Sequence, residues 1–77
     1  RGALRKLLTK MLVTDSDFSA FCLDYFTDVY RRFGMGMDRT TKLTMLLELA
    51  DQEKIVRALQ ETDPDGFRRY QSLLNPD

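Results

Sequence analysis

The chain has 77 residues, and its twelve basic side chains balance twelve acidic ones, so the net charge is zero. This balance argues against a protein whose main affinity is for phosphate backbones, because such proteins carry a basic excess. The sequence holds no histidine and one cysteine, which excludes histidine-based catalysis and zinc sites built from clustered Cys and His. No apolar run approaches the length of a membrane span.

The first part of the chain carries two amphipathic stripes in succession. Apolar side chains recur at i, i+3, i+4, i+7 and i+8 in the first stripe, which consists of Leu4, Leu7, Leu8, Met11 and Leu12. The same spacing recurs in a second stripe of Phe18, Phe21, Cys22, Tyr25 and Phe26. This period predicts two helices, over residues 2–13 and 16–26, that each bury one face. The polar segment 14–17 between them is typical of a helix start.

A short third helix and a glycine-containing loop follow. Thr27 and Asp28 predict a cap for this helix, which runs to residue 33 and whose inward side chains are Val29, Tyr30 and Phe33. The segment 34–37 ends the helix, since its two glycines permit positive φ and weaken helices. Met35 and Met37 in this loop either fold over the core, which we favour, or offer an adaptable contact surface.

Three more helices are predicted in the second half of the chain. Asp38 caps a fourth helix over residues 39–49, whose buried side comprises Leu43, Leu46, Leu47 and Ala50, widened by Met45 and Leu49. Asp51 starts a fifth helix that runs to residue 61, with its apolar side at Ile55, Val56 and Leu59. Asp63 and Pro64 start a sixth, because proline suits the first helical position, and its apolar side chains are Phe67, Tyr70, Leu73 and Leu74.

Together these elements predict an all-α fold, a compact antiparallel bundle of six helices. We expect a single domain over residues 1–77 excised from a longer protein, because the chain starts at Arg1 without a methionine and ends in the linker-like segment Asn75-Pro76-Asp77. The alternative is processing of a free-standing small protein. Cys22 has no disulfide partner and lies on an apolar stripe, so we expect a buried thiol and a reducing, cytoplasmic setting.

Motifs that carry chemistry are not found in this sequence. The segment 34–36 is not a phosphate-binding loop, because no strand precedes it and no Gly-Lys-Ser/Thr follows it. Asp15 and Asp17 lack the remaining spacing of a calcium loop and are better explained as helix-start residues. We therefore expect no enzymatic activity, no cofactor and no bound metal ion.

The charges are segregated along the chain. An acidic cluster without any base consists of Asp15, Asp17, Asp24 and Asp28. A basic cluster around the glycine loop consists of Arg31, Arg32, Arg39 and Lys42. A neutral bundle with patches of both signs can dock a copy of itself, or a similar module, through complementary faces. The alternative is that these charges are the solvated surface of any soluble domain.

Several segments resemble bacterial death-like domains, which include the effector-associated domains of bacterial conflict systems. The resemblance begins with residues 4–8 and continues through 15–18, 21–26 and 29–33. It extends through 36–39, 42–43 and 46–48 and covers nearly the whole chain, to about residue 74. The matching positions are mostly core residues and caps, so they specify a fold family better than a function.

The resemblance implies a six-helix death-fold bundle that acts as a non-catalytic adaptor. Such modules are attached to proteases, caspase-like enzymes, TIR domains or nucleotide-binding ATPases, and they bring effector and sensor together by homotypic docking. The implied partner is another death-like domain, either a second copy of this chain or a different one, with neither nucleic acid nor membrane expected. Because the family's contact residues vary, the candidate docking residues here come from the two charge clusters alone.

Two other functions remain open from the sequence. The helix that starts with Asp38-Arg39-Thr40-Thr41-Lys42 could enter a DNA major groove, with Arg31 and Arg32 on phosphates. The zero net charge and the acidic second helix argue against it. The domain could also be purely structural and pack only against the rest of its own chain.

Overall fold

A computed structural model of the chain describes residues 2–74, and these residues form helices and connecting turns without any strand. The elements in order are α1 (Gly2–Met11), α2 (Asp15–Tyr25), α3 (Thr27–Tyr30), α4 (Arg39–Leu49), α5 (Gln52–Thr62), α6 (Pro64–Tyr70) and a 3₁₀ turn η1 (Gln71–Leu73). The predicted all-α bundle of six helices is thus confirmed. The predicted linker at Asn75-Pro76-Asp77 and the starting Arg1 lie outside the described residues.

Side-chain caps begin four of the helices, as the sequence predicts. In each case an oxygen of the cap residue accepts a hydrogen bond from a backbone N–H of the first turn, which would otherwise lack a partner. The accepting residues are Thr14 for α2, Asp38 for α4, Asp51 for α5 and Asp63 for α6. The tightest of these bonds, at 2.8 Å, joins the Thr41 N–H to Asp38.

The predicted cap of α3 is wrong. Phe26 occupies the cap position, and no side chain caps this helix. The reason is that α2 runs into α3 almost without interruption: the Phe26 N–H still bonds the Cys22 carbonyl, and the Tyr30 N–H then bonds the Phe26 carbonyl. The Thr27 hydroxyl donates back to the Leu23 carbonyl instead, at 3.1 Å.

Three helices end two or more residues earlier than the sequence predicts. α1 stops at Met11 rather than at residue 13, and α3 stops at Tyr30 rather than at residue 33. The N–H groups of Arg32 and Phe33 bond carbonyls three residues back, which is a tightened turn and not α-helix. The sixth helix stops at Tyr70 and likewise continues as the 3₁₀ turn η1.

The core sits at the centre of the bundle and receives side chains from all six helices. Its buried members are Leu4, Leu7, Leu8, Leu12, Phe18, Phe21, Cys22, Val29, Leu43, Leu46, Leu47, Ile55, Ala58, Leu59 and Phe67. No polar or charged side chain in residues 2–74 is buried. The apolar stripes read from the sequence therefore account for the interior almost completely.

Three predicted core residues lie at the surface instead. Met35 is fully exposed at the tip of the glycine loop, so it does not fold over the core. Leu49 is 52% exposed because it lies two positions after the buried Leu47, which turns it toward the other side of α4. Tyr25 is 39% exposed at the end of α2, although its ring still packs against Phe21 with a centroid distance of 5.4 Å.

Leu46→Ala is expected to lower the free energy of unfolding by about 2–5 kcal/mol, because it removes buried methyl groups and leaves a cavity. Leu49→Ala, the same substitution in the same helix at an exposed position, is the matched control and should cost less than about 1 kcal/mol. Urea unfolding followed by circular dichroism measures both. Equal losses for the two variants would contradict the burial assignment of α4.

Asp38→Ala is expected to lower the thermal unfolding temperature at neutral pH and to have little effect in acid. Hydrogen bonds from Thr41 hold the pKa of the Asp38 carboxyl below its ordinary value. The pKa of this carboxyl in the unfolded state is about 4. The charged Asp38 therefore contributes its full stabilisation of the fold above that pH, and the contribution disappears as the pH falls through the lower folded-state pKa.

Melting curves of the parent and Asp38→Ala at pH 7 and at about pH 2 measure this difference. Asp24→Ala removes an exposed aspartate without a cap role and serves as the control. A difference between parent and Asp38→Ala that is equally large at both pH values would rule out a charged cap.

Candidate docking surface

The acidic cluster lies mostly on the outer side of α2 and at the start of α3. Asp17 and Asp24 are exposed, because burial of Phe18, Phe21 and Cys22 turns other positions of α2 toward solvent, and Asp28 is exposed in the first turn of α3. None of these three carboxylates forms an ion pair within residues 2–74. They are therefore available for a partner.

Asp15 and Lys42 are paired with each other. The Lys42 Nζ lies 3.2 Å from the Asp15 Oδ2 and 5.5 Å from the centroid of the Phe33 ring. The Lys42 side chain is only 12% exposed, so its stem is packed and its ammonium is held by a carboxylate and an aromatic face. This pair joins the start of α2 to the first turns of α4, and the Asp15 side chain remains 58% exposed.

Arg39 is also engaged within the domain. Its guanidinium donates hydrogen bonds to the carbonyl oxygens of Leu12 and Val13, the latter at 2.6 Å. These carbonyls follow the end of α1, where backbone oxygens lack helical partners and carry partial negative charge. The guanidinium completes α1 and fixes it to the start of α4, while its buried Nε has no hydrogen-bond partner within residues 2–74.

Arg31 and Arg32 are the remaining members of the basic cluster. Both are exposed, and neither side chain makes an ion pair or hydrogen bond to the part of the chain that the structure describes. Of the eight predicted docking residues, five thus point to solvent without a partner: Asp17, Asp24, Asp28, Arg31 and Arg32. The other three hold α1, α2 and α4 together.

The free acidic and basic residues adjoin each other rather than occupying opposite sides of the bundle. Asp28 lies in the first turn of α3 and Arg31 caps the end of this helix. Because α3 has only four residues, it is about 6 Å long. One short helix therefore carries both signs of charge, and the acidic side extends from there along α2.

A concave surface of mixed polar and apolar lining beside α3 was missed by the sequence reasoning. A groove of about 450 Å³ runs between the α2–α3 corner and the α4–α5 corner, and its apolar lining includes Tyr25, Phe26, Val29, Leu49 and Ala50. Asp28, Asp51 and Lys54 border it.

Cys22 is the one cysteine of the chain, and its thiol is buried in the core. No group of three or more Cys, Asp or Glu side chains is placed to hold a metal ion in residues 2–74. Burial raises the pKa of the Cys22 thiol to about 12, only partly offset by the positive charge of Lys42. The thiol is therefore protonated at neutral pH and is a poor nucleophile.

No helix between residues 2 and 74 combines the length and the apolar character needed to cross a membrane. Comparison of the chain with protein-family models, with curated proteins and with solved structures finds no match. The resemblance to death-like domains thus stays a prediction from the sequence, and the functional argument rests on the surface just described.

Arg39→Ala is expected to lower the free energy of unfolding by about 1.5–3 kcal/mol, because it removes charge-assisted hydrogen bonds to two carbonyl oxygens. Arg31→Ala removes an identical but solvent-exposed side chain and should change stability by less than about 0.5 kcal/mol. Chemical denaturation of the two variants provides the comparison. The assignment of Arg39 to the fold and of Arg31 to the free surface would be wrong if the order were reversed.

Proposed function

We propose that this domain is a non-catalytic interaction module that recruits or assembles an attached effector or sensor by docking to another death-like domain. The partner is a second copy of this chain or a related module of a bacterial defence or signalling protein in the cytoplasm. The observation that carries the proposal is the free charge of both signs at α2 and α3: Asp17, Asp24 and Asp28 beside Arg31 and Arg32.

Electrostatic complementarity supports docking between copies. Each copy offers three unpaired carboxylates and two unpaired guanidinium groups on adjoining surfaces. Arginine binds carboxylates through a rigid fork of donors, so Arg31 and Arg32 of one copy suit the aspartates of the next. Because the chain has no net charge, overall repulsion does not oppose the approach of a second copy.

Nucleic-acid binding receives less support from the same contacts. In the major-groove alternative, Arg39 and Lys42 would read bases from the start of α4. Arg39 instead bonds carbonyls of the α1–α2 segment, and Lys42 is nearly buried against Asp15 and Phe33. The exposed aspartates of α2 would also repel phosphates.

The proposal includes no covalent chemistry. The one thiol is buried with a raised pKa, and the carboxylates of α2 and α3 are exposed at the surface rather than enclosed in a cleft. Exposed charges on a rigid helical scaffold suit recognition and fast association. The domain's contribution to the parent protein is therefore to hold two chains together.

The first test is the solution mass of the parent domain by light scattering across protein concentration at low and high salt. We expect the mass to grow with concentration and to fall again in high salt, since exposed charge pairs are screened beyond about 8 Å at physiological ionic strength. An increase of solution mass with concentration that high salt leaves unchanged would exclude charge-driven docking.

Charge reversal tests the assigned residues directly. The double variant Asp24→Lys, Asp28→Lys is expected to raise the dissociation constant for self-association by about tenfold or more, because attraction to Arg31 and Arg32 becomes repulsion. The matched control reverses Glu53 and Asp65, two exposed acids in the first turns of α5 and α6, and should associate like the parent. Circular dichroism checks that both variants keep the helical fold.

Mixing provides the complementary result. The reversed acidic variant retains its arginines, and a variant with Arg31→Glu and Arg32→Glu retains its aspartates. Each alone should associate poorly, whereas an equimolar mixture should regain association, since one copy supplies the acid and the other supplies the base. If both variants self-associate as well as the parent, these surfaces are not the interface.

A further inference from the structure

The outer side of α3 presents an acid and a base within a single helical turn. Asp28 lies in the first turn of α3, and Arg31 ends the helix with backbone angles that are still helical, φ −64° and ψ −20°. Residues three positions apart are neighbours on a helix surface, so these two side chains share one side of α3. Burial of Val29 turns this side toward solvent, and both charged side chains are exposed.

The free charges of residues 24–32 follow the order acid, acid, base, base. They belong to Asp24, Asp28, Arg31 and Arg32, which are all exposed and form no ion pair inside the part of the chain that the structure describes. Helical hydrogen bonds continue through the α2–α3 corner, since the N–H groups of Phe26 and Tyr30 bond carbonyls four residues back. The two acids are therefore about one helical turn apart, ahead of the two bases.

This order of charges is complementary to its own reverse. When two copies approach in antiparallel directions, acid–acid–base–base lies opposite base–base–acid–acid, and every contact joins opposite charges. A parallel approach places like charges opposite each other, which disfavours association. The antiparallel arrangement corresponds to a two-fold axis, in which both copies use the same surface and which is the commonest symmetry of dimers of identical chains.

A partly exposed aromatic ring adjoins these charges. Exposed ion pairs alone contribute little affinity, so a stable contact also needs apolar area. Tyr25 is 39% exposed and lines the same concave surface as Asp28. Tyrosine is enriched in protein interfaces because its ring adds apolar contact area while its hydroxyl keeps a hydrogen bond. The α3 surface thus offers both charge and apolar area to a second copy.

The other charged helices do not offer a balanced set of this kind. α1 carries bases and no acid. α5 carries acid, base, base and acid in this order, so an antiparallel approach places like charges opposite each other; these residues are Glu53, Lys54, Arg57 and Glu61. In α6 the Asp63 carboxylate is engaged as a helix cap, which leaves Asp65 alone against Arg68 and Arg69.

We propose that two copies of this chain join through α3 about a two-fold axis, so that Asp28 of each copy faces Arg31 of the other and Asp24 faces Arg32. This inference rests on the proposed function, since it sets the symmetry of the docking assigned there to α2 and α3. Each copy uses its α3 surface once in such a contact. Association therefore stops at a dimer instead of continuing into an open chain.

Self-cross-linking of a single variant tests the symmetry. Thr27 is exposed at the start of α3, one turn before Arg31, so a two-fold axis at α3 brings the two copies of this residue close together. Thr27→Cys with a short bis-maleimide should give several-fold more covalent dimer than the matched control Thr9→Cys. Thr9 is also exposed, and each of these hydroxyls donates to the carbonyl four residues back. The native Cys22 is buried with a pKa of about 12 and stays unreactive in the folded state.

Single charge reversals identify the pairs across the axis. Asp28→Arg or Arg31→Asp makes both symmetry-related contacts repulsive, so each variant alone should raise the dissociation constant by about tenfold or more. An equimolar mixture of the two should regain association, because one chain supplies two bases and the other supplies two acids. The matched controls, Asp65→Arg and Arg68→Asp, change the same charges at the same spacing on α6 and should each associate like the parent. Circular dichroism checks that all four variants keep the helical fold.

Solution mass separates this inference from the function on which it rests. A plateau at twice the monomer mass, together with cross-linking of Thr27→Cys above the Thr9→Cys level, supports the two-fold contact. Salt-sensitive growth beyond a dimer would overturn the two-fold axis and leave charge-driven docking standing. A dimer in which Thr27→Cys cross-links no more than Thr9→Cys would overturn α3 as the contact. A parent domain that stays monomeric at every concentration and salt would overturn the second copy as the partner.

Discussion

The contact between the start of α4 and the segment joining α1 to α2 is the constraint on which the rest of the structure depends. α1 ends at Met11 and leaves the carbonyls of Leu12 and Val13 without helical partners beside the core. Such oxygens need a donor, and the guanidinium of Arg39 supplies two N–H groups at once. Lys42, one turn further along α4, binds Asp15 at the start of α2. A single helical turn thus fixes three helices relative to one another.

This constraint determines which charges remain for binding. The two bases at the start of α4 are used inside the domain, and Asp15 is used with them. The free charge that we propose for docking lies on α2, α3 and the turn that follows, while most other charged side chains in residues 2–74 are exposed and unpaired as well. An exposed charge that contributes little to folding is free to vary without loss of the core. The surface at α3 can thus specify a partner while the α1–α2–α4 junction keeps the fold.

The fold was largely predictable because its determinants are local. Helical periodicity locates the stripes of α1 and α2, and short polar side chains such as Asp38 and Asp63 mark helix starts through hydrogen bonds that span three residues. The sequence predictions are wrong mainly where residues that are distant in the chain meet in the fold. The partners of Arg39 lie 26 and 27 residues away, so periodicity gives no sign that this base is structural. Tyr25 has helical spacing typical of a core residue, yet it lies at the end of α2 and is 39% exposed.

The ends of α2 and α4 explain why a domain of this size leaves apolar side chains uncovered. A short chain buries a smaller fraction of its surface than a long one, so some apolar side chains at the ends of its helices lack cover. Here Tyr25 and Leu49 end α2 and α4 at one end of the bundle, while Met35 is exposed in the loop that leads to the start of α4. Charges of both signs lie close to these apolar side chains, since Asp28 near Tyr25 is followed by Arg31 at the end of the same short helix. In the docking that we propose, exposed apolar side chains contribute affinity and the neighbouring charges contribute orientation.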